Sequence, residues 1–373
     1  MKGRAPSFYI APTRAAKIDA VISFPVQILE NLPLAPYTTL KIGGPARYFT
    51  EARTHGDILD ALSYAREHSL KLFVLGGGSN LLVSDGGWPG LVLKIGVAGI
   101  SAATQNGKQV LTAGAGEDWD KLVAHSVAQN CSGIECMSGI PGTVGGTPVQ
   151  NVGAYGQEVA DTITSVRVID TDSGETRDMS PAECGFAYRT SIFNTSQKGR
   201  YIVTRVSYAL TAGGAPRVEY ADLKRYFAGR PSSPTLSEVR EAVRSIRASK
   251  AMLITSDDED SRSAGSFFKN PIVPIEEFDR IAALPLCKDQ KPPSYPAPKG
   301  QVKMSAAWLV ERAGFHKGYT EGRVGISRKH TLAIVNRGGA TANDVVQLKN
   351  RVQEGVLRVF GVQLHPEPVF VGF

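Results

Sequence analysis

A glycine-rich stretch of nineteen residues, 138–156, sets the strongest constraint on how this chain folds. Its sequence, SGIPGTVGGTPVQNVGAYG, contains too many glycines for a helix and is too long for a simple turn. A loop of this length inside a compact domain usually has a function. We therefore predict a ligand-binding loop here.

A second glycine cluster, GGGSN at residues 76–80, directly follows a strand-like apolar run, KLFVL, at residues 71–75. Successive glycines after a buried strand let backbone N–H groups converge on a ligand, and this arrangement suits a diphosphate. Hairpin turns also use glycine, so this cluster alone is a weak signal. Neither cluster has the GxGxxG or GxxxxGK[ST] spacing, which predicts a nucleotide-binding fold other than a Rossmann or P-loop fold.

A short turn, SRSAGSFFKNP at residues 261–271, combines a hydroxyl, a cation and an amide. Gly265 permits a backbone conformation closed to other residues, and Pro271 biases Asn270 toward extended geometry. Ser266 is therefore predicted to be a fixed hydroxyl that can donate a proton or bind an anion. The alternative is a plain loop whose two phenylalanines belong to the core and whose serine satisfies backbone groups.

Two further charged residues are candidates for chemistry. Arg189, in YRTSIF, offers a planar fork suited to a carboxylate or phosphate, although a surface ion pair is the common alternative. Glu367 lies between two prolines before an apolar strand, so its position is stiff, although a surface Glu at a strand entry is common. The acidic run 257–260 could hold a metal, but such loops are more often simply solvated.

Charge and cysteine content exclude several classes of protein. The formal charge of +7 favours anionic partners, but no run of five or six cations reads as a nucleic-acid arm, so small phosphorylated ligands fit better. The four cysteines lack a CxxC pair and the six histidines lack metal spacing, which predicts no metal and free thiols in a reducing cytosol. No apolar window is long enough to span a membrane.

Hydrophobic periodicity predicts individual helices and strands along the chain. We predict a strand at 46–49, a helix capped by Asp57, antiparallel strands at 164–170 and 201–210, a helix opened by Thr235 and Glu238, and helices at 303–313 and after Thr341. Pro6, Pro12 and Pro25 interrupt every apolar run of residues 1–30, which we expect to be a flexible extension, and a composition shift rich in glycine and proline over residues 212–236 predicts the start of the last domain, 236–373.

Five motifs in order, GGGSN, IPGTVGGTPVQNVGAYG, YRTSIF, AGSFFKNP and HPEPVFVGF, resemble those of the UDP-N-acetylenolpyruvoylglucosamine reductases. The resemblance runs from about Leu34 to Phe373. It implies an α+β fold: a two-subdomain FAD-binding module of the vanillyl-alcohol-oxidase type (31–95 and 96–235) plus a C-terminal α+β substrate-binding domain (236–373), whose last strand, 367–373, is able to return to the FAD-binding module. It also implies a cytoplasmic, monomeric enzyme of peptidoglycan precursor synthesis that takes NADPH and a UDP-sugar.

The same resemblance assigns the cofactor-binding residues. FAD is expected to be non-covalent, because Ser79 stands after Gly78 where covalent relatives often carry histidine. The implied FAD contacts lie in the two glycine loops: Gly76, Gly77, Gly78, Ser79, Asn80, Gly142, Gly145, Gly146, Gln150, Asn151, Gly153, Ala154 and Tyr155.

The resemblance also gives roles to the chemical residues. Ser266 matches the proton donor, and Arg189 and Glu367 match the pair that stabilises the developing enolate. The residues that match positions holding the UDP diphosphate are Tyr220, Lys250 and Asn270. One departure is Asn194, which stands where many relatives carry lysine.

Two alternatives remain open at this point. The first is another FAD-dependent oxidase or dehydrogenase of the same fold, acting on an alcohol. The second is a nucleotide-binding module without catalysis, which would tolerate the loss of Arg189, Ser266 and Glu367.

Overall fold

The computed structural model describes residues 22–23 and 26–373. The strands are β1 (Ile22–Ser23), β2 (Gln27–Pro33), β3 (Pro45–Ala52), β4 (Leu72–Leu75), β5 (Leu81–Val83), β6 (Trp88–Ile95), β7 (Ile100–Gln105), β8 (Lys108–Gly114), β9 (Cys131–Ser132), β10 (Gly153–Ala154), β11 (Gln157–Glu158), β12 (Ile163–Asp170), β13 (Thr176–Met179), β14 (Tyr201–Ala212), β15 (Ile272–Pro274), β16 (Ser294–Tyr295), β17 (Gln301–Met304), β18 (Thr320–Glu321), β19 (Val324–Ile326), β20 (Ile334–Asn336) and β21 (Val369–Val371). The helices are α1 (His55–Glu67), α2 (Trp119–Ala128), α3 (Pro181–Cys184), α4 (Ala221–Tyr226), α5 (Leu236–Ser249), α6 (Ile275–Ala282), α7 (Ala306–Arg312) and α8 (Ala342–Phe360).

The first sheet has the order β1-β2-β3-β6-β4, and its last three strands are parallel. Strand β6 lies between β3 and β4 and carries a run of fully buried apolar residues, as expected for a central parallel strand. Helix α1 covers this sheet. The helix is capped by Thr54 rather than by Asp57, which occupies the third helical position and completes the capping box. The sequence prediction therefore had the right helix but the wrong cap.

The second sheet is antiparallel, in the order β13-β12-β14-β8-β7. Its long central strand β14 pairs with both β12 and β8, which confirms the antiparallel strands predicted at 164–170 and 201–210. Helix α5 begins with the predicted capping box of Thr235 and Glu238. It packs against α2, where Arg240 and Arg244 both bind the carboxylate of Asp120 at 2.5 Å.

The C-terminal part contains two three-stranded sheets, β15-β17-β16 and β18-β19-β20, with α7 and α8 packed together. The capping box of Thr341 and Asp344 and the left-handed Gly361 bound α8 as predicted. The helix predicted from Lys303 begins only at Ala306. Lys303 instead lies in β17, because this residue pairs with Ile272 of β15.

The chain end returns to the first module, since β21 pairs in parallel with β5, with Phe370 opposite Leu82. This pairing brings the residues just before β21 next to the first glycine loop, which lies between β4 and β5. Residues 1–21 and 24–25 of the predicted extension lie outside the described residues. Gln27 to Glu30, which the prediction placed in the extension, form the first part of β2, where Gln27 and Ile28 pair with β1 and Leu29 and Glu30 pair with β3.

All four cysteines are buried free thiols: Cys131, Cys136, Cys184 and Cys287. Within residues 22–23 and 26–373, no helix combines the length and the apolar character that crossing a membrane requires.

Candidate active site

The first glycine loop presents a row of free backbone donors. The N–H groups of residues 76–80 donate to no other atom within the described part of the chain, although the carbonyls of Gly78 and Asn80 accept from Thr39 and Val369. Unpaired backbone N–H groups that follow one another along a tight loop form a concave site for an anion. This geometry fits the predicted diphosphate.

Close backbone packing explains why the loop contains glycine. A Cβ atom on Gly77 would lie only 2.5 Å from the Cα of Gly142 in the second glycine loop. Gly78 has a φ of +65°, and a Cβ there would overlap the carbonyl oxygen of Tyr37. The two glycine loops therefore meet without side chains between them, and the cradle depends on this absence.

A cavity of about 190 Å³ opens beside Gly76 and Gly77. Lys41 and Lys94 belong to its lining, Lys94 as the partner of Glu51 at 2.7 Å, and Thr143 contributes a buried hydroxyl that has no hydrogen-bond partner in residues 26–373. An orphaned buried hydroxyl is costly unless a ligand satisfies it. The free N–H groups, the cations and this hydroxyl together fit a bound dinucleotide. The sequence reasoning missed Lys41, Lys94 and Thr143.

Several predicted FAD contacts of the second glycine loop also make hydrogen bonds within the protein. Asn80 donates to the side chain of Gln150 at 2.6 Å, so these two predicted contacts are neighbours. The side chain of Asn151 is used internally, because it donates to Glu158 at 2.8 Å and accepts from the N–H of Ala160 at 3.1 Å.

Other predicted FAD contacts in this loop also have internal partners. The N–H groups of Gly145 and Gly146 bond to the carbonyls of Ala115 and Thr143. Tyr155 packs its buried ring against the ring of Tyr220, with centroids 5.4 Å apart. Their role as cofactor contacts stays a prediction.

The side chain of Arg189 contacts the second glycine loop. Its backbone is in a left-handed conformation, with a φ of 55°. Its carbonyl accepts from the side chain of Asn194 at 3.2 Å, and its Nη2 donates to the carbonyl of Gly153 at 2.9 Å. Asn194, the departure from the family pattern, thus holds the Arg189 backbone. The strained backbone and the fixed guanidinium show a side chain held in one place.

Glu367 faces Arg189, with Oε1 3.2 Å from the guanidinium Nε. Its backbone N–H bonds to the carbonyl of Phe267 at 2.9 Å, next to Ser266. Burial raises the pKa of Glu367, and the opposing charges of Arg189 and Lys269 do not cancel that effect. The three predicted catalytic residues are therefore linked: Arg189 contacts Glu367, and the backbone of Glu367 is bonded to Phe267, the residue after Ser266.

Ser266 lies on the turn after Gly265, whose φ is +76°. The Ser266 hydroxyl lies 2.9 Å from Nε2 of His330, which is a partner that no sequence motif indicated. The two phenylalanines after Ser266 are buried in the C-terminal core, as the plain-loop alternative required, but the serine itself is not used to satisfy the backbone.

The three predicted substrate contacts lie in different settings. Lys250 binds Asp222 at 2.7 Å. Asp222 lies two residues after Tyr220, which is exposed. The side-chain oxygen of Asn270 accepts from the N–H of Ala306 at the start of α7, at 2.9 Å. Asn270 therefore holds its turn against the start of α7, and its amide nitrogen makes no side-chain hydrogen bond to another described residue.

The acidic run 257–260 is not simply solvated, and this corrects the sequence expectation. Asp260 is 1% exposed and binds Arg337 at 2.6 Å and Arg328 at 2.8 Å, while Asp258 binds Lys329 at 2.7 Å. The sequence could not show these pairs, because the partners come from the loop between β19 and β20 and from the end of β20.

Comparison with known families matches both parts of the chain. Residues 257–371 match the C-terminal domain of UDP-N-acetylenolpyruvoylglucosamine reductase, and residues 46–180 match the FAD binding domain. These matches confirm the predicted combination of an FAD-binding module and a C-terminal α+β domain.

Several proteins that are similar to this chain over most of their length are UDP-N-acetylenolpyruvoylglucosamine reductases. The UDP-N-acetylenolpyruvoylglucosamine reductase of Thermobifida fusca is 47% identical over 92% of this chain and 98% of that protein. The one from Saccharopolyspora erythraea is 46% identical over 91% of this chain and 94% of that protein. A crystal structure of the reductase from Thermus caldophilus superposes with a TM-score of 0.62 at 28% identity, covering 93% of this chain and 99% of that chain.

Proposed function

This chain belongs to the UDP-N-acetylenolpyruvoylglucosamine reductase family, and on that premise we propose that it reduces UDP-N-acetylglucosamine enolpyruvate to UDP-N-acetylmuramate with NADPH. The reaction is a step of peptidoglycan precursor synthesis. When bound, FAD supplies hydride transfer, from NADPH to the enolpyruvyl group. The residues that would hold it are those of the first glycine loop, with Lys41, Lys94 and Thr143 around the adjoining cavity.

Two residues stabilise the charge that hydride addition creates. Adding hydride to the methylene carbon places negative charge on the adjacent carbon and its carboxylate. Arg189 is a fixed cation whose buried Nε has no hydrogen-bond partner within residues 26–373, so it can donate to that carboxylate. Glu367, held against Arg189 with a raised pKa, keeps the guanidinium in position.

Ser266 completes the reaction by giving its hydroxyl proton to the adjacent carbon. A serine is a weak acid in water, so it needs a rigid site and a strongly basic acceptor carbon. The observation that carries the proposal is the bond from the Glu367 N–H to the Phe267 carbonyl at 2.9 Å. It fixes the proton donor and the anion-stabilising pair to one another.

The proposal has three further features. The first is a monomeric enzyme. The four buried free thiols suit a reducing cytoplasm. We also expect Lys250, Asn270 and Tyr220 to contact the UDP diphosphate, with Lys250 exchanging its present partner Asp222 for the ligand.

The test is an absorbance measurement on the purified protein, followed by separate half-reactions. We expect a yellow flavin spectrum that NADPH bleaches and the enolpyruvyl substrate restores. Ser266→Ala should keep the first half-reaction and slow the second by about 10²- to 10⁴-fold. Ser232→Ala, which changes an exposed serine, is the matched control and should behave as wild type.

Two outcomes would contradict the proposal. A colourless protein that binds no added FAD would remove the cofactor assignment. Bleaching by an alcohol, with recovery by oxygen and no effect of Ser266→Ala, would favour an oxidase of the same fold.

A further inference from the structure

The hydroxyl of Ser266 has one side-chain partner among the described residues, and that partner is His330 at 2.9 Å. The histidine lies 64 residues further along the chain, in the loop between β19 and β20. It belongs to none of the five family motifs. The question is what the imidazole does for the serine.

The loop that carries His330, residues 327–333, is fixed by hydrogen bonds within it and by ion pairs to the acidic run. The Ser327 hydroxyl accepts from the N–H groups of Lys329 and His330, at 3.1 and 3.2 Å. The neighbours Arg328 and Lys329 bind Asp260 and Asp258 of the acidic run, at 2.8 and 2.7 Å. The acidic run leads directly into the turn that carries Ser266. The serine and the histidine are therefore held by one network of ion pairs.

The surroundings keep the imidazole neutral. The charged groups that act on the imidazole are the cations Lys250, Lys317 and Arg247, of which Lys250 is itself paired with Asp222 at 2.7 Å. Burial, reinforced by these cations, lowers the pKa of His330 to about 4. A neutral imidazole carries one ring N–H and has one ring nitrogen free to accept.

The choice of tautomer decides the direction of the hydrogen bond. With the hydrogen on Nδ1, Nε2 would accept the Ser266 proton and draw it away from the substrate. With the hydrogen on Nε2, the imidazole donates to the serine oxygen and leaves the hydroxyl proton free to point elsewhere. Only the second arrangement is compatible with a serine that donates its proton.

We propose that His330 is a positioning residue that donates its Nε2–H to the Ser266 oxygen, aims the hydroxyl proton at the substrate carbon, and stabilises the charge left on that oxygen. In this step the O–H bond of Ser266 breaks and a C–H bond forms from the electron pair on the carbon. The oxygen keeps its electron pair as an alkoxide and later takes a proton from water. The inference rests on the proposed role of Ser266.

The first test compares two replacements of His330 in the FAD-loaded enzyme. His330→Gln keeps an N–H donor at about the position of Nε2, whereas His330→Leu has no donor. A hydrogen bond to a charged oxygen corresponds to a slowing of about 10- to 100-fold in the leucine variant. We expect that loss in the second half-reaction only, with unchanged substrate affinity, and recovery to within about threefold of wild type in the glutamine variant.

The controls separate this inference from the proposed function. His55→Leu changes an exposed histidine on α1 and should leave both half-reactions unchanged. If Ser266→Ala slows the second half-reaction but His330→Leu does not, the inference is wrong and the proton-donor role stands. Equal slowing by glutamine and leucine would also overturn the inference, because a donor would then be irrelevant.

A second test needs no turnover. In ¹⁵N-histidine NMR spectra of the full chain at pH 7.5, Nε2 of His330 should be the protonated ring nitrogen. Its signal should move in Ser266→Ala, while the signal of His55 stays in place. A ring protonated on Nδ1 would overturn the proposal even if the leucine variant did not fold.

Discussion

The Nε atom of Arg189 lies 3.2 Å from Oε1 of Glu367, yet its N–H makes no hydrogen bond to any residue of 26–373. The same guanidinium donates through Nη2 to the carbonyl of Gly153 at 2.9 Å. The Nη2 atom therefore fixes the side chain, whereas the Nε atom is buried without a hydrogen-bond partner in this part of the chain. A buried donor of this kind is what a substrate carboxylate requires.

Glu367→Gln tests the function of this pair. The amide retains the size of the side chain but replaces the carboxyl group that contacts the Arg189 guanidinium. We expect reduction of the flavin by NADPH at the wild-type rate, and reoxidation by the enolpyruvyl substrate slowed by about 10²-fold or more. Stopped-flow absorbance of each half-reaction measures both rates.

Glu354→Gln provides the control for the Glu367 prediction. Glu354 is exposed on α8, so this change should alter neither half-reaction. A wild-type rate of reoxidation in Glu367→Gln would remove Glu367 from the mechanism and leave its contact with Arg189 as a purely structural ion pair.

The difference between local and long-range contacts explains how much the sequence could reveal. Ser266 follows Gly265 on a short turn and Glu367 lies between two prolines, so local residue types indicate these two, whereas Arg189 gained its role only from the family resemblance. The strands and capped helices were predictable because apolar periodicity and capping residues are also local features. His330 carries no such mark, because its role depends on a contact between distant loops that only the folded chain creates.

The acidic run is a second case in which local sequence did not reveal a long-range contact. Four consecutive acidic residues, 257–260, are typical of a solvated loop, and the exposed Asp257 fits that expectation. Asp260 does not, since its two arginine partners come from sequence positions that give no sign of proximity. Local composition predicted the loop but could not distinguish its buried member.

Gly77→Ala tests whether the close approach of the two glycine loops is required. The new Cβ would lie 2.5 Å from the Cα of Gly142, so the loops must separate. We expect a loss of about 1–3 kcal/mol in the free energy of unfolding, and a larger loss of bound FAD. Urea denaturation measures the first, and the ratio of flavin to protein absorbance measures the second.

Gly56→Ala is the matched control for this substitution. Gly56 lies on the exposed first turn of α1, and a Cβ there would come no closer than 3.7 Å to the Thr54 hydroxyl. This variant should keep its FAD and match or slightly exceed the wild-type stability. Full FAD content in Gly77→Ala would show that the loops need not touch to hold the cofactor.

Asp260→Asn tests the ion-pair network that holds the Ser266 turn against the His330 loop. Burial alone would raise the pKa of Asp260, but hydrogen bonds from Arg328 and Arg337 outweigh it and hold the pKa below its usual 3.8. Removing the charge leaves the half-buried Arg337 uncompensated, so we expect a loss of about 3–5 kcal/mol in the free energy of unfolding at pH 7. Because a lowered pKa stabilises the fold only while the carboxyl is ionised, this difference from wild type should narrow as the pH falls below about 4. Urea denaturation across this pH range measures it, with Asp257→Asn as the exposed control, and a variant that matched wild type at pH 7 would show that the network does not hold the turn.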